Sequence, residues 1–114
     1  MYEFQKHLKR DGATDGDGLL FNKWVWAGNN HYLSIQCSKY HYCYPKENLR
    51  PSEYEQYEVL IVERKPDMND FIEHTENEEI NKYLKEYGHA GLMEYMPVEE
   101  VEKLYEIALK EWGD

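Results

Sequence analysis

Tyr57-Glu58-Val59-Leu60-Ile61-Val62-Glu63-Arg64 is the stretch from which the fold can be read. Its four central residues are apolar without a polar gap, and three of them are β-branched. A short run of this kind predicts a strand in the middle of a sheet, covered on both faces. Upstream, residues 19–27 are rich in Phe and Trp, the chain turns at Gly28-Asn29-Asn30, and residues 31–37 return, which predicts a hairpin over 19–37. Leu33, Ile35 and Cys37 share one face by the two-residue period, and Tyr32, Ser34 and Gln36 share the other. Alternation of Tyr2 and Phe4 with Glu3 and Gln5 predicts a first strand over residues 1–9. Residues 10–18 read as a turn-rich loop, where Asp15-x-Asp17 lacks the rest of a calcium loop. Pro45 stops regular pairing after the hairpin, because it has no N–H to donate, and residues 46–56 form a polar connection.

Beyond the central strand the period changes. Residues 66–73 suggest one helical turn around 68–72. Thr75-Glu76-Asn77-Glu78 matches a capping box, and the helix it opens carries an apolar stripe of Ile80, Tyr83, Leu84 and Tyr87 before Gly88 stops it. Residues 91–96 read as a short extended segment. Pro97 suits the first position of a final helix whose buried stripe is Val98, Val101, Leu104, Tyr105, Ala108 and Trp112. Strands first and helices last predict an α+β fold, an antiparallel sheet from the N-terminal half with C-terminal helices packed on it. At 114 residues the chain supports one core, so residues 1–114 are read as a single α+β domain.

Charge is unevenly placed. Residues 1–50 hold seven Lys/Arg against five Asp/Glu, and residues 51–114 hold six against eighteen, giving +2 and −12. The acidic second half would repel nucleic acid, so direct nucleic-acid binding is not expected. There is no leader pattern or apolar run of membrane-spanning length, and the expectation is a cytoplasmic protein with no membrane contact. In that compartment Cys37 and Cys43 are expected to be reduced. Trp24, Trp26 and Trp112, among many tyrosines, exceed the aromatic surface that so small a domain readily buries. A homo-oligomer joined through the final helix is therefore expected.

No established catalytic motif is present, and the chain is read as a non-enzyme without a cofactor. Cys37, His41 and Cys43 are ligand types that zinc uses, but their spacing is not that of a finger or ribbon, so no metal site is expected. A Cys–His nucleophile would need a lowered thiol pKa and an orienting third group, neither of which is readable. Glu99, Glu100, Glu102 and Glu106 read as the solvent face of the last helix. The cluster Tyr40, His41, Tyr42 and Tyr44, followed by Pro45 and Lys46, is more specific. Aromatic faces stack on nucleobases, and a neighbouring lysine meets phosphate.

Three segments carry a resemblance: Ser34-x-x-x-Ser38-x-x-His41-Tyr42-Cys43-x-Pro45-Lys46, Tyr57-Glu58-Val59, and Glu94-Tyr95-Met96-Pro97-Val98-Glu99-x-Val101. Spread over roughly residues 31–112, they resemble small phage and prophage proteins, a group taken to include the first type of Thoeris anti-defence sponge. The resemblance implies a phage-encoded anti-defence protein acting in the cytoplasm of the infected bacterial host. It would sequester a cyclic ADP-ribose-type or cyclic nucleotide immune signal without turnover, as an oligomer. Its partner would be that small nucleotide-derived signal molecule, bound by Tyr40, His41, Tyr42, Tyr44, Lys46, Arg50 and Tyr95. Two positions depart from the family pattern: Lys46 replaces an Arg and so lacks its bidentate fork, and Tyr44 replaces a small Ser. From a different class, the −12 balance suggests an acidic inhibitor of a host defence nuclease or CRISPR effector, acting as a nucleic-acid mimic.

Overall fold

The computed structural model describes residues 1–11 and 20–113, so the loop read from residue 12 onward, its Asp15-x-Asp17 spacing and Leu19 lie outside the described residues. The chain is an α+β fold. Strands β1 (Val25–Gly28), β2 (His31–Gln36), β3 (Gln56–Arg64), β4 (Asn69–Phe71), β5 (Gly88–His89) and β6 (Leu92–Pro97) form one antiparallel sheet, against which helices α1 (Glu78–Tyr87) and α2 (Val98–Trp112) pack. The sheet order is β1-β2-β3-β6-β5, with β4 beside the far end of β3. The apolar run at 59–62 does lie in the central strand. The predicted hairpin forms from β1 and β2, though its first strand is only four residues long.

One sheet face builds the core. Val25, Leu33, Ile35, Tyr57, Val59 and Ile61 point into it and meet Ile80, Leu84, Val101, Leu104 and Ala108 of the helices. Each aliphatic side chain buried there contributes about 1.5–3 kcal/mol. Coverage of β3 is not equal on its two faces, contrary to the sequence reading. Glu58 and Leu60 are half-buried, because no helix crosses the second face. That face exposes aromatic residues instead, with Trp26 at 53% and Phe71 at 56%. Among the described residues no helix is long and apolar enough to cross a membrane.

Three local expectations change. Residues 1–9 form a single 3-10 turn (Phe4–His7), not a strand, because Phe4 and Leu8 are buried one helical turn apart while Tyr2 is exposed. That turn is held from far along the chain, the Phe4 N–H donating to Glu102 Oε1 at 3.0 Å. The Phe4 ring meets Tyr57 edge-on at 5.3 Å. Residues 69–71 are strand β4 and not a helical turn. β6 pairs only the first half of β3, and β4 satisfies the backbone groups left along Val62–Arg64. The α1 cap is Asn77, whose side chain accepts the N–H groups of Glu79 and Ile80, while Thr75 and Asn81 bond each other just outside it. Pro97 likewise sits one place earlier than expected, as the residue before α2.

The end of α2 closes on the first hairpin. Gly28 has φ +130°, and a Cβ there would lie 2.1 Å from the Trp112 carbonyl carbon, so only glycine admits the helix end. Asn29 N–H donates to Trp112 O at 2.9 Å, and the Trp112 ring stacks on His31 with centroids 4.0 Å apart and planes within 4°. Trp112, expected to supply surplus surface for a second copy, is thus engaged within its own chain.

Candidate functional site

After β2 the chain leaves the sheet, turns over residues 38–43, and returns through a Tyr44–Gln56 bridge. Both thiols point inward. Cys43 Sγ donates to Ser38 O at 3.1 Å, and Asn22 Nδ2 donates to Cys37 Sγ at 3.5 Å. Burial pushes the Cys37 thiol up to about 12 and raises Cys43 as well, which suppresses the thiolate a nucleophile or metal ligand needs. The two are free and do not bridge. Among the described residues no three His, Cys, Asp or Glu side chains converge as a metal site would require.

The residues expected to bind ligand divide by the direction they face. His41 is only 6% exposed; it packs edge-on against Phe21 at 5.2 Å, and its Nδ1 lies 2.7 Å from Ser38 Oγ. Burial, and after it the positive charges of Arg10 and Lys46, hold its pKa below the ordinary value, so it is a neutral wall residue. Tyr40 and Tyr44 are exposed on the loop, with the Lys39 ammonium 5.9 Å from the Tyr40 ring. Arg50 opens the short turn at Pro51–Glu53, where its N–H donates to Glu53 Oε1. The remaining residues meet. Lys46 Nζ sits 5.3 Å from the Tyr42 ring centroid and 5.6 Å from that of Tyr95, and donates to His41 O at 3.1 Å. The two rings are 6.0 Å apart.

A β-bulge makes this meeting possible. Across from β3 the register jumps from Tyr57↔Met96 to Val59↔Met93, so Glu94 and Tyr95 together oppose Glu58. Tyr95 takes φ +52°, a left-handed conformation that a bulky residue adopts only under constraint. Its N–H donates to Tyr42 O at 3.0 Å, and Tyr42 N–H donates to Glu58 Oε1 at 3.1 Å. Burial first, and then the charge of Glu94, raise the Glu58 carboxyl above its ordinary range. The result is an ammonium held between two half-exposed rings, with two carboxyls alongside.

Glu58 also reaches the helix-free face, where a cavity of about 630 Å³ opens between residues 20–24 and strands β2 and β3. Gln36 fastens its wall. The side-chain amide accepts the Asn22 N–H at 2.6 Å and donates to Asn22 O at 2.9 Å, as a neighbouring strand would. Arg64, Trp24 and Tyr32 form its far side, the guanidinium carbon 4.7 Å from the Tyr32 ring and 5.7 Å from that of Trp24. The sequence reading passed over this group. The only signal was an arginine at the end of the central strand, and its neighbours are visible only once strand register is known. No protein-family model, curated protein or solved structure matches the chain.

Proposed function

We propose that the protein binds a small nucleotide-derived signal of the cyclic ADP-ribose or cyclic nucleotide class and withholds it without turnover. The observation that carries this reading is the Lys46 ammonium fixed between Tyr42 and Tyr95 on the bulge. A base stacked on either ring gains about 1–3 kcal/mol, and the ammonium keeps donors for phosphate after using one on His41 O. Glu58 and Glu94 offer acceptors for ribose hydroxyls. Placement on a hydrogen-bonded sheet edge limits the entropy lost on binding. The same reading, with the resemblance of its three segments to phage sponges, makes the protein a phage anti-defence factor acting in the cytoplasm of the infected host.

Incubation with cyclic ADP-ribose isomers and cyclic oligonucleotides, followed by heating and analysis of what is released, tests this. Intact ligand recovered from the protein is the expected result. Ligand left entirely unbound refutes binding, and a cleaved product makes the protein an enzyme. Homo-oligomers belong to the reading too, and light scattering should give a mass clearly above 13.8 kDa. The acidic-inhibitor alternative gains no particular support. The groove between the helices interleaves Lys82, Lys85 and Lys103 with Glu79, Glu86 and Glu100, and Glu102 is occupied in holding Phe4.

A further inference from the structure

We infer that the cavity on the helix-free sheet face is a second binding site, for a planar ring bearing a phosphate, with Arg64 holding the anion. The inference shares its ligand class with the function proposed above, but it does not depend on the immune-signal reading.

Three observations carry it. The cavity, at about 630 Å³, falls within the usual range for a small-ligand pocket, about 300–1,000 Å³. Its walls combine rings with polar groups of both signs, the Lys23 and Arg64 cations and the Asp11 and Glu58 carboxyls. Phe21 and Phe71 line it as well, both about half exposed, so a ligand ring has apolar surface to cover. At its floor Ser34 Oγ accepts a 3.0 Å hydrogen bond from Gln36 and keeps its own hydrogen to donate.

The third observation is the state of Arg64. Its guanidinium carbon lies 4.7 Å from the Tyr32 ring centroid and 5.7 Å from that of Trp24, so two rings restrict where the group can sit. Among the described residues no carboxylate pairs with it, although the next residue, Lys65, is paired with Asp70. A guanidinium that touches rings and has no carboxylate partner keeps N–H donors free, and its fork can hold a phosphate through two parallel hydrogen bonds. Contact with Tyr32 and Trp24 removes rotamer freedom before the ligand arrives, so little is lost when it binds. A purine ring would then rest against the exposed aromatic residues while its phosphate meets Arg64.

Titration with adenosine 5′-monophosphate, read by tryptophan fluorescence and by backbone amide shifts, tests the inference, with adenosine as the probe lacking phosphate. Saturable binding is expected, at least about tenfold weaker for adenosine, with shifts centred on Tyr32, Leu60 and Arg64. Arg64→Met should weaken the nucleotide by about tenfold or more, and Arg64→Lys, which keeps the charge without the fork, should fall between. Lys103→Met removes a lysine from the groove between the helices and should change nothing. If Arg64→Met does not fold, the Arg64→Lys comparison decides alone. Equal affinity for nucleotide and nucleoside, unchanged binding in the Arg64 variants, equal weakening by Lys103→Met, or no saturable binding overturns the inference. Shifts centred on Tyr42 and Tyr95 overturn it too, while leaving intact the proposed binding at Lys46. Failure of the cyclic ligands to bind, with the mononucleotide still held at Arg64, does the reverse.

Discussion

Replacing Tyr95 by glycine and, in a second variant, by alanine isolates the backbone of the bulge from the ring it carries. Both changes remove the same contacts, an aromatic pair of about 0.5–1.5 kcal/mol with Tyr42 and a cation–π contact of about 0.5–1 kcal/mol with Lys46. They differ in how the new residue tolerates φ +52°. Alanine bears the left-handed penalty of about 1–2 kcal/mol, which glycine escapes. Glycine loses about 0.5–1 kcal/mol through the freedom of its unfolded chain. The balance favours Tyr95→Gly over Tyr95→Ala by up to about 1.5 kcal/mol, or a melting difference of up to about 6 °C for a domain of this size. At a position with ordinary φ the order is the opposite. Urea unfolding of the two variants, fitted with a common slope, reads the sign directly. An alanine variant clearly more stable than the glycine variant refutes the claim that the site holds Tyr95 under backbone strain.

Other expectations concern Gly28, Cys37 and Glu58. Gly28→Ala should destabilise by about 3 kcal/mol or more, combining left-handed strain with loss of the Asn29–Trp112 hydrogen bond; a loss under about 1 kcal/mol in urea would mean the helix end is not packed against β1. Cys37, its thiol pushed up to about 12, should react with a thiol reagent only as the protein unfolds, and fast labelling of the native protein at that residue would contradict its burial. Glu58 is raised by burial and by Glu94, so the folded state favours its protonated form. Stability from that group is present below the ordinary carboxylate pKa and declines as pH rises through the raised value. Glu58→Gln, which still accepts the Tyr42 N–H, should therefore stabilise the protein at neutral pH and flatten its melting profile through the mildly acidic range. Lower stability of that variant at neutral pH would reverse the assignment.

Elements legible in the sequence are those whose signal is local. Residues 59–62 declare a strand because four adjacent apolar side chains have no other economical use, and α2 declares itself through Val101, Leu104 and Ala108 at helical spacing. β4 was not legible, because Asn-Asp-Phe has no strand character of its own and pairs only because β6 leaves part of β3 free. The N-terminal turn depends on Glu102, almost the whole chain away. In the site, Tyr42 and Lys46 could be singled out because they lie close together, and Tyr95 came in only through its segment's resemblance. His41 shares the odd parity of Leu33, Ile35 and Cys37, so its burial was legible by alternation, and grouping it with Tyr40, Tyr42 and Tyr44 as a ligand contact overlooked that signal. Arg64, Trp24 and Tyr32 come from three separate segments, and register alone joins them.

The seat of Trp112 against Gly28 and His31 also shapes how the molecule is made. It joins the first hairpin to the close of the last helix, and the N-terminal turn adds a similar long loop through Phe4 and Glu102. Contacts so distant along the chain raise contact order, because the entropy of closing those long loops must be overcome before they stabilise anything. During synthesis the hairpin must therefore wait, its apolar face open, until the tail emerges and docks. Over that interval the apolar face of the sheet is open to aggregation.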